Sequence, residues 1–520
     1  MPAYRREILA DEVHVHGPPA ASGRVRVALL FPSDYAVGTA NLALQGLYRL
    51  LNARADVLCE RVFYPGIRER GRQRDGTLRS LEHATALGGF DVVAITSSFE
   101  LDWLNIPPAM REGGVPPLAE ERAPQSPLVI AGGPAVTANP EPLVGLADAL
   151  FIGEVEPVAN DLLDALVETD LRSRSGRQEL LERLAALPGF YVPALPPDGS
   201  IDRVLLDDLD AVPTTTEVLT PRSEFSRTFL IQTGRGCPRS CRFCLARQIY
   251  HPLRTRSEQC ILDSAGVGLQ FTDRIGLVGA AVADHPRIEE IAGEIVAMGG
   301  RISTSSLRAE GVTPALIEAL AASGQRSIAL APETADERLA EVLGKRVPYE
   351  AVRYAVALAS EAGLTDVKLY FMLGVPGETD EAADRIADYV QALESDVGGI
   401  HVSVAAGALV PKPHTELARA AVPHPDTVGR RLRRLRGELR ARTGADLRSS
   451  SARWSGVQTA LSRGGRELAG VILAAGGGGP DEFERALRQE GLALEDYLAE
   501  QTGPVPWEVV GECQRMGVGP

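Results

Sequence analysis

A chain of 520 residues is long enough to bury two or three separate cores, and its 69 acidic against 54 basic residues leave a formal charge of -15. That balance argues against a general binder of nucleic acid or of anionic membrane surfaces. The opening MPAYRREILADEVHVHG contains no apolar signal core, no later run reaches a membrane-spanning length without charge, and the cysteines form no disulfide-like framework, so a cytoplasmic protein without a membrane partner is expected.

Residues 1–23 read as an N-terminal extension. From Arg24, RVRVALLFPSDYAVGTANLALQGLYRLL predicts a strand, a loop with Pro32 and Gly38, and an amphipathic helix. FDVVAITSSF (90–99), PLVIAGGPAV (127–136) and ADALFIGEVEP (147–157) are short apolar runs that end in small or polar residues, as buried parallel strands do. Residues 24–165 therefore predict a doubly wound α/β domain. Ligands of such sheets bind beyond the carboxyl ends of the strands, which makes Ser33, Gly38, Ser97, Ser98, Gly132, Gly133, Gly153 and Glu154 the candidate rim.

Residues 166–225 join a charged helical stretch to the proline-rich GFYVPALPPDGS and the acidic LLDDLD, and predict a connector. The runs FLIQTGRGC, RIGLVGAAV, RISTSSLR, SIALAPET, DVKLYFMLGVPGET and HVSVAAGALVPKPHTEL then alternate with helical patterns at βα spacing, over residues 226–420. Directly after the first of them stands Gly236-Cys237-Pro238-Arg239-Ser240-Cys241-Arg242-Phe243-Cys244. Three thiolates so spaced can hold three irons of a cubane cluster and leave the fourth open to a substrate or cofactor. Short cysteine spacings also build closed zinc sites, for which His251 or Cys260 is the nearest fourth ligand, although neither forms a second paired knuckle.

The cysteine spacing, with the aromatic Phe243 before its last member, resembles the radical S-adenosylmethionine (SAM) superfamily. The resemblance implies a partial (β/α)6 barrel whose first strand precedes the cysteines. It also implies SAM chelation of the open iron and reductive cleavage of SAM to methionine and a deoxyadenosyl radical. By the same resemblance, backbone near Gly279 receives the SAM amino group, Glu333 holds the ribose hydroxyls, and Gly374 in the turn Gly374-Val375-Pro376-Gly377-Glu378 passes close to the adenine. Ser306 and Arg308 close the third strand, and a guanidinium there suits the SAM carboxylate.

Residues 24–165 are similar to the cobalamin-binding domain that precedes many radical SAM barrels, through AGGPAVTANPEPL and FIGEVE. The D-x-H-x-x-G element that supplies an axial histidine is missing, and His83 is the one histidine of this domain. The whole chain resembles an uncharacterised family of cobalamin-domain radical SAM proteins. A 4Fe-4S cluster, SAM and cobalamin are the implied cofactors, a flavodoxin or ferredoxin the implied reductant, and radical methylation one implied reaction. A methylthiotransferase-like modifier is the rival enzyme, and a zinc-stapled binding protein the non-enzymatic alternative.

Residues 421–520 predict a mainly helical region. It opens with DTVGRRLRRLRGELRART, whose leucines form a core-facing stripe and whose arginines are expected on a solvated face. The only lysines are Lys345, Lys368 and Lys412, all inside the expected barrel.

Overall fold

The computed structural model describes residues 3–64 and 76–518, which divide into two compact units: residues up to 228 with 461–493 and 504 onward, and residues 229–460 with 494–503. In the first unit a six-stranded sheet has the order β2-β1-β3-β4-β5-β6, where β1 is Val25–Phe31, β2 Val57–Phe63, β3 Val92–Thr96, β4 Leu128–Gly132, β5 Ala149–Phe151 and β6 Phe190–Tyr191. The first five are parallel and β6 is antiparallel to β5. β1 and β2 are buried almost throughout, which their near-continuous apolar runs require of strands covered on both faces. The order 2-1-3-4-5 puts the topological switch point between β1 and β3, and the loops after those two strands are where such a sheet binds its ligands.

Asn41 caps the helix Leu42–Leu51 by accepting the Leu44 amide at 3.0 Å. The expected connector contributes the helix Arg174–Ala186, the edge strand β6, and the strand Ile201–Leu206, which pairs in parallel with Val510–Met516. The C-terminal part of this unit is tied in by polar contacts. Asn139 Nδ2 donates to the Ser462 and Gly464 carbonyls, and Arg466 Nε lies 2.7 Å from Glu141, whose other oxygen accepts from Tyr191 Oη.

In the second unit β7 (Phe229–Gln232), β8 (Arg274–Val278) and β9 (Arg301–Thr304) form one parallel sheet. β10 (Ser327–Glu333), β11 (Asp366–Leu373), β12 (His401–Ala408) and β13 (Asp446–Ser449) form a second. A parallel bridge between Leu307 and Leu330 links the two, giving seven strands in sequence order with β7 and β13 unpaired with each other. The arrangement is an open, partial barrel. The first six strands follow the expected runs, and β13 is an addition. Among the described residues no helix is long and apolar enough to cross a membrane.

The arginine-rich helix Pro425–Arg442 keeps Arg430, Arg433 and Arg440 on an exposed face, as expected, and engages three other arginines. Leu432, Leu435 and Leu439 are buried, but Arg431, Arg434 and Arg442 form ion pairs with Asp380, Asp384 and Asp388 of the helix Asp380–Asp396. Acidic residues at i, i+4 and i+8 make a row along one helix face, and the arginines meet that row. The two helices are thus zipped by charge within the unit.

Candidate functional site

The cysteines lie in a loop closed at its base by an antiparallel pairing of Gly234–Arg235 with Arg254–Thr255. Two main-chain contacts pin its middle: the Arg242 amide donates to the Leu343 carbonyl at 2.8 Å, and the Arg242 carbonyl accepts from the Leu417 amide at 3.2 Å. Gly344 (φ 63°) lets the two segments touch, because a Cβ there would lie 2.8 Å from the Ser240 carbonyl oxygen. Phe243 sinks into a small apolar cluster with Leu339, Leu343, Val375, Leu409 and Leu417. Its observed role is to anchor the loop.

Cys237, Cys241 and Cys244 are half-buried and free. Burial pushes the Cys237 and Cys241 thiols up, and the neighbouring cysteines push the same way, so the three share one electrostatic environment. Lys345 and Arg308 oppose the shift at Cys241. Among the described residues no three or more His, Cys, Asp or Glu side chains are gathered as they would be round a single metal ion. Three half-buried thiols in one loop are a ligand set that can hold three irons of a cluster.

Around this loop the strand ends place the other expected residues. β10 carries a bulge: Leu330 is in register with Leu369 and Glu333 with Phe371, so three steps on one strand face two on the next. Pro332 sits in the bulge, and Glu333 adopts φ 67°, a conformation non-glycine residues avoid. Held there, the Glu333 carboxylate meets Lys345 Nζ at 2.8 Å, both side chains being largely shielded from water. A bulge and a strained acidic residue at one strand end mark a place where a side chain has been re-aimed.

The Gly374 amide donates to Glu378 Oε2 at 2.7 Å, which closes the turn after β11. Arg431 then clamps that turn, with Nη1 2.7 Å from Glu378 Oε2 and Nη2 2.9 Å from the Glu378 carbonyl. Burial pushes the Glu378 carboxyl up, and the Gly374 amide and Arg431 oppose this. Removing the guanidinium leaves a buried carboxylate unpaired. Arg431→Ala is therefore expected to cost about 3 kcal/mol, read as a lower urea midpoint, with Arg431→Lys recovering only part because an ammonium lacks the fork.

The Gly279 carbonyl accepts from Ser305 Oγ at 3.2 Å. Ser306 is exposed beyond β9. Arg308 Nη2 pairs with Glu310 at 2.9 Å, while its Nε is buried with no hydrogen-bond partner. An unpartnered guanidinium nitrogen whose charge reaches Cys241 fits an anionic group that completes the site.

The rim of the first unit is more divided than its sequence suggests. Ser97 is fully buried, accepts from Trp103 Nε1 at 2.8 Å and donates to the Phe99 carbonyl. Gly133 (φ 109°, ψ 176°) abuts it: a Cβ would sit 2.5 Å from the Ser97 carbonyl oxygen. Gly133→Ala should cost about 3 kcal/mol, since that backbone region is nearly closed to other residues; a drop of several degrees in Tm checks it. Gly132 pairs with Thr96 in the sheet, and Gly38 packs on Phe63. Gly153 bridges to Val204, and the Glu154 carboxylate accepts the Leu206 amide at 2.8 Å, so both hold the strand Ile201–Leu206.

What stays open is the switch point. Ser33 is half-buried after β1, Ser98 Oγ accepts from Asn41 Nδ2 at 2.9 Å, and Phe99 is 44 % exposed. Thr96 Oγ1 is buried there without a hydrogen-bond partner. Nearby, burial, with the Glu100 carboxylate second, raises the Asp102 carboxyl to about 7. A carboxyl raised on folding contributes stability at low pH that is lost as pH rises through about 4 to 7. Asp102→Asn should therefore raise the Tm at pH 7.5 but not at pH 4, by a stability gain on the order of 2 kcal/mol.

Two family models match the chain in succession. The family described as "Radical SAM proteins, N-terminal" matches residues 43–193, and "Radical SAM superfamily" matches residues 231–390. An uncharacterised protein of Methanocaldococcus jannaschii is 28% identical over 392 residues, covering 75% of this chain and 78% of its own. An uncharacterised methyltransferase of Pyrococcus horikoshii is 24% identical over 316 residues, covering 57% and 63%. Among solved structures, the radical SAM methyltransferase TsrM of Kitasatospora setae, with tryptophan substrate and a SAM analogue bound, shares the fold. Its TM-score is 0.53 at 16% identity, over 76% of this chain and 75% of that one. With the two family matches in order along the chain and the cysteine loop at the head of the second, this protein is an enzyme of the radical SAM superfamily.

Proposed function

We propose that Cys237, Cys241 and Cys244 hold a 4Fe-4S cluster, and that the enzyme cleaves SAM reductively to modify a substrate by radical chemistry, with methyl transfer through cobalamin as the specific reaction. The observation that carries this reading is the joint anchoring of the cysteine loop and the re-aimed Glu333 on adjoining segments, with Gly344 between them. When bound, the cluster supplies an electron and one iron position that the protein leaves free.

The chain's own residues do the rest. Phe243 and the two hydrogen bonds at Arg242 hold the loop rigid. Arg308, with its partnerless Nε, suits the SAM carboxylate, and Glu333 offers two acceptor oxygens to a ribose diol while Lys345 fixes their direction. The Gly374 turn, clamped by Arg431, brings backbone rather than side chain toward the adenine. A flavodoxin- or ferredoxin-type protein is the expected electron donor.

For cobalamin, the fit rests on the switch-point rim of Ser33, Thr96, Ser98 and Phe99, with one buried hydroxyl awaiting a partner. TsrM has also been solved with cobalamin and a [4Fe-4S] cluster bound. His83 Nδ1 lies 3.3 Å from the buried Glu60, so the histidine of this domain is engaged elsewhere and cobalamin would be held without it. A methylthiotransferase-like enzyme would need further cysteines for a second cluster in the N-terminal domain, where Cys59 stands alone and fully buried. The test is 5′-deoxyadenosine and S-adenosylhomocysteine formation from SAM under dithionite. Neither product above the rate of a Cys237→Ala control contradicts the reading.

A further inference from the structure

The second sheet of the barrel unit has a face that the proposed cluster and SAM contacts do not use. On β11, Val367, Leu369, Phe371 and Leu373 are buried, while Lys368, Tyr370 and Met372 alternate onto the opposite face, where Tyr370 is 36 % exposed. Barrel interiors are ordinarily filled by bulky side chains from successive strands. Here the register sets Lys368 beside Ala329 and Ser403, and Tyr370 beside Ala405. Beside these small neighbours Lys368 is half-buried and Tyr370 exposed.

That face carries two cations, Lys368 and Arg448, beside the carboxylates of Asp366 and Asp446. Lys368 Nζ lies 4.8 Å from the centroid of the Tyr370 ring. On β13, Arg448 is in register with Ala405 and so shares the row of Tyr370. Among the described residues neither Lys368 nor Arg448 has an ion-pair partner. Asp446, on the same face, is the one unpaired carboxylate beside them, and at the lower edge Asp366 and His401 face each other at 3.4 Å. Two strand spacings and an offset of two residues set the backbones of Lys368 and Arg448 roughly 12 Å apart, a span that two long side chains leaning toward each other can close on one anion.

We propose that this face binds a carboxylate or phosphate at one end of the enzyme's substrate, between Lys368 and Arg448. That the anion belongs to a substrate rests on the radical SAM reading above; that the face binds anions does not. Gly374 lies four residues beyond Tyr370, about 13 Å along the strand, so a substrate that reaches from this face to the proposed SAM site is on the order of 10 Å long. An elongated organic acid or phosphate ester has that form.

The chain's three lysines make the test clean. The full-length protein is treated with pyridoxal 5′-phosphate, the imines are trapped with borohydride, and the labelled lysines are mapped by mass spectrometry. Lys368 is expected to label saturably and about tenfold more than Lys412, to be protected by inorganic phosphate, and to lose most of its label in Arg448→Gln but not in Arg448→Lys. Uncharged pyridoxal should show no such preference. Equal labelling by pyridoxal, or labelling indifferent to phosphate and to Arg448→Gln, would overturn the proposal by reducing Lys368 to an exposed amine. SAM affinity is measured in parallel on the reconstituted protein. Its absence in the wild type would sink the radical SAM reading while leaving the anion site standing, whereas a SAM Kd unchanged in Arg448→Gln keeps the two sites distinct.

Discussion

Cys241→Ala is expected to leave little iron after anaerobic reconstitution and to slow SAM cleavage by ~1,000-fold or more, a loss of about 4 kcal/mol of transition-state stabilisation. The loop itself should survive. Its anchors are Phe243, the Arg242 main chain and the Gly344 contact, none of which involves the Cys241 thiol. Wild-type thermal stability of the cluster-free protein with lost iron binding separates a ligand from a structural residue. Iron content and deoxyadenosine formation at wild-type levels would remove Cys241 from the cluster.

Glu333→Ala should raise the SAM Kd by about 10- to 100-fold, since a hydrogen bond to a charged group contributes roughly 1.5–3 kcal/mol. Iron content should not change, because Glu333 touches Lys345 and not the cysteine loop. Glu333→Gln keeps the shape and loses the charge, so it should fall between the two. The split between intact iron and weakened SAM binding is what a ribose contact requires. A stability loss without a change in Kd would mean that the Glu333–Lys345 pair only ties β10 to the segment that follows it.

Most of the scaffold was legible because buried parallel strands are apolar runs ending in small residues, and that signal is local. β13 escaped because Asp446-Leu447-Arg448-Ser449 is short, polar and exposed along most of its length, so no periodicity announces it. Partners far apart in the chain were also invisible. Nothing near Arg431 says that its carboxylate is Glu378, 53 residues away, or near Asn139 that it holds the carbonyls of Ser462 and Gly464. At the rim of the N-terminal sheet, strand ends gave positions but not occupancy. Ser97 and Glu154 stand where a ligand contact was expected, yet Trp103 and the Leu206 amide already engage them, whereas Thr96, unremarked in the sequence, keeps a buried hydroxyl without a partner.

The most direct test of the central claim is elemental: iron, zinc and cobalt per polypeptide, after anaerobic cluster reconstitution with hydroxocobalamin present and removal of unbound material. About four irons and one cobalt per chain are expected, with iron falling in each of the three cysteine variants and cobalt unaffected by them. Iron without cobalt would keep the SAM chemistry and withdraw cobalamin from the N-terminal domain. Zinc without iron would contradict the account at its root, because the cysteines would then be a closed structural site.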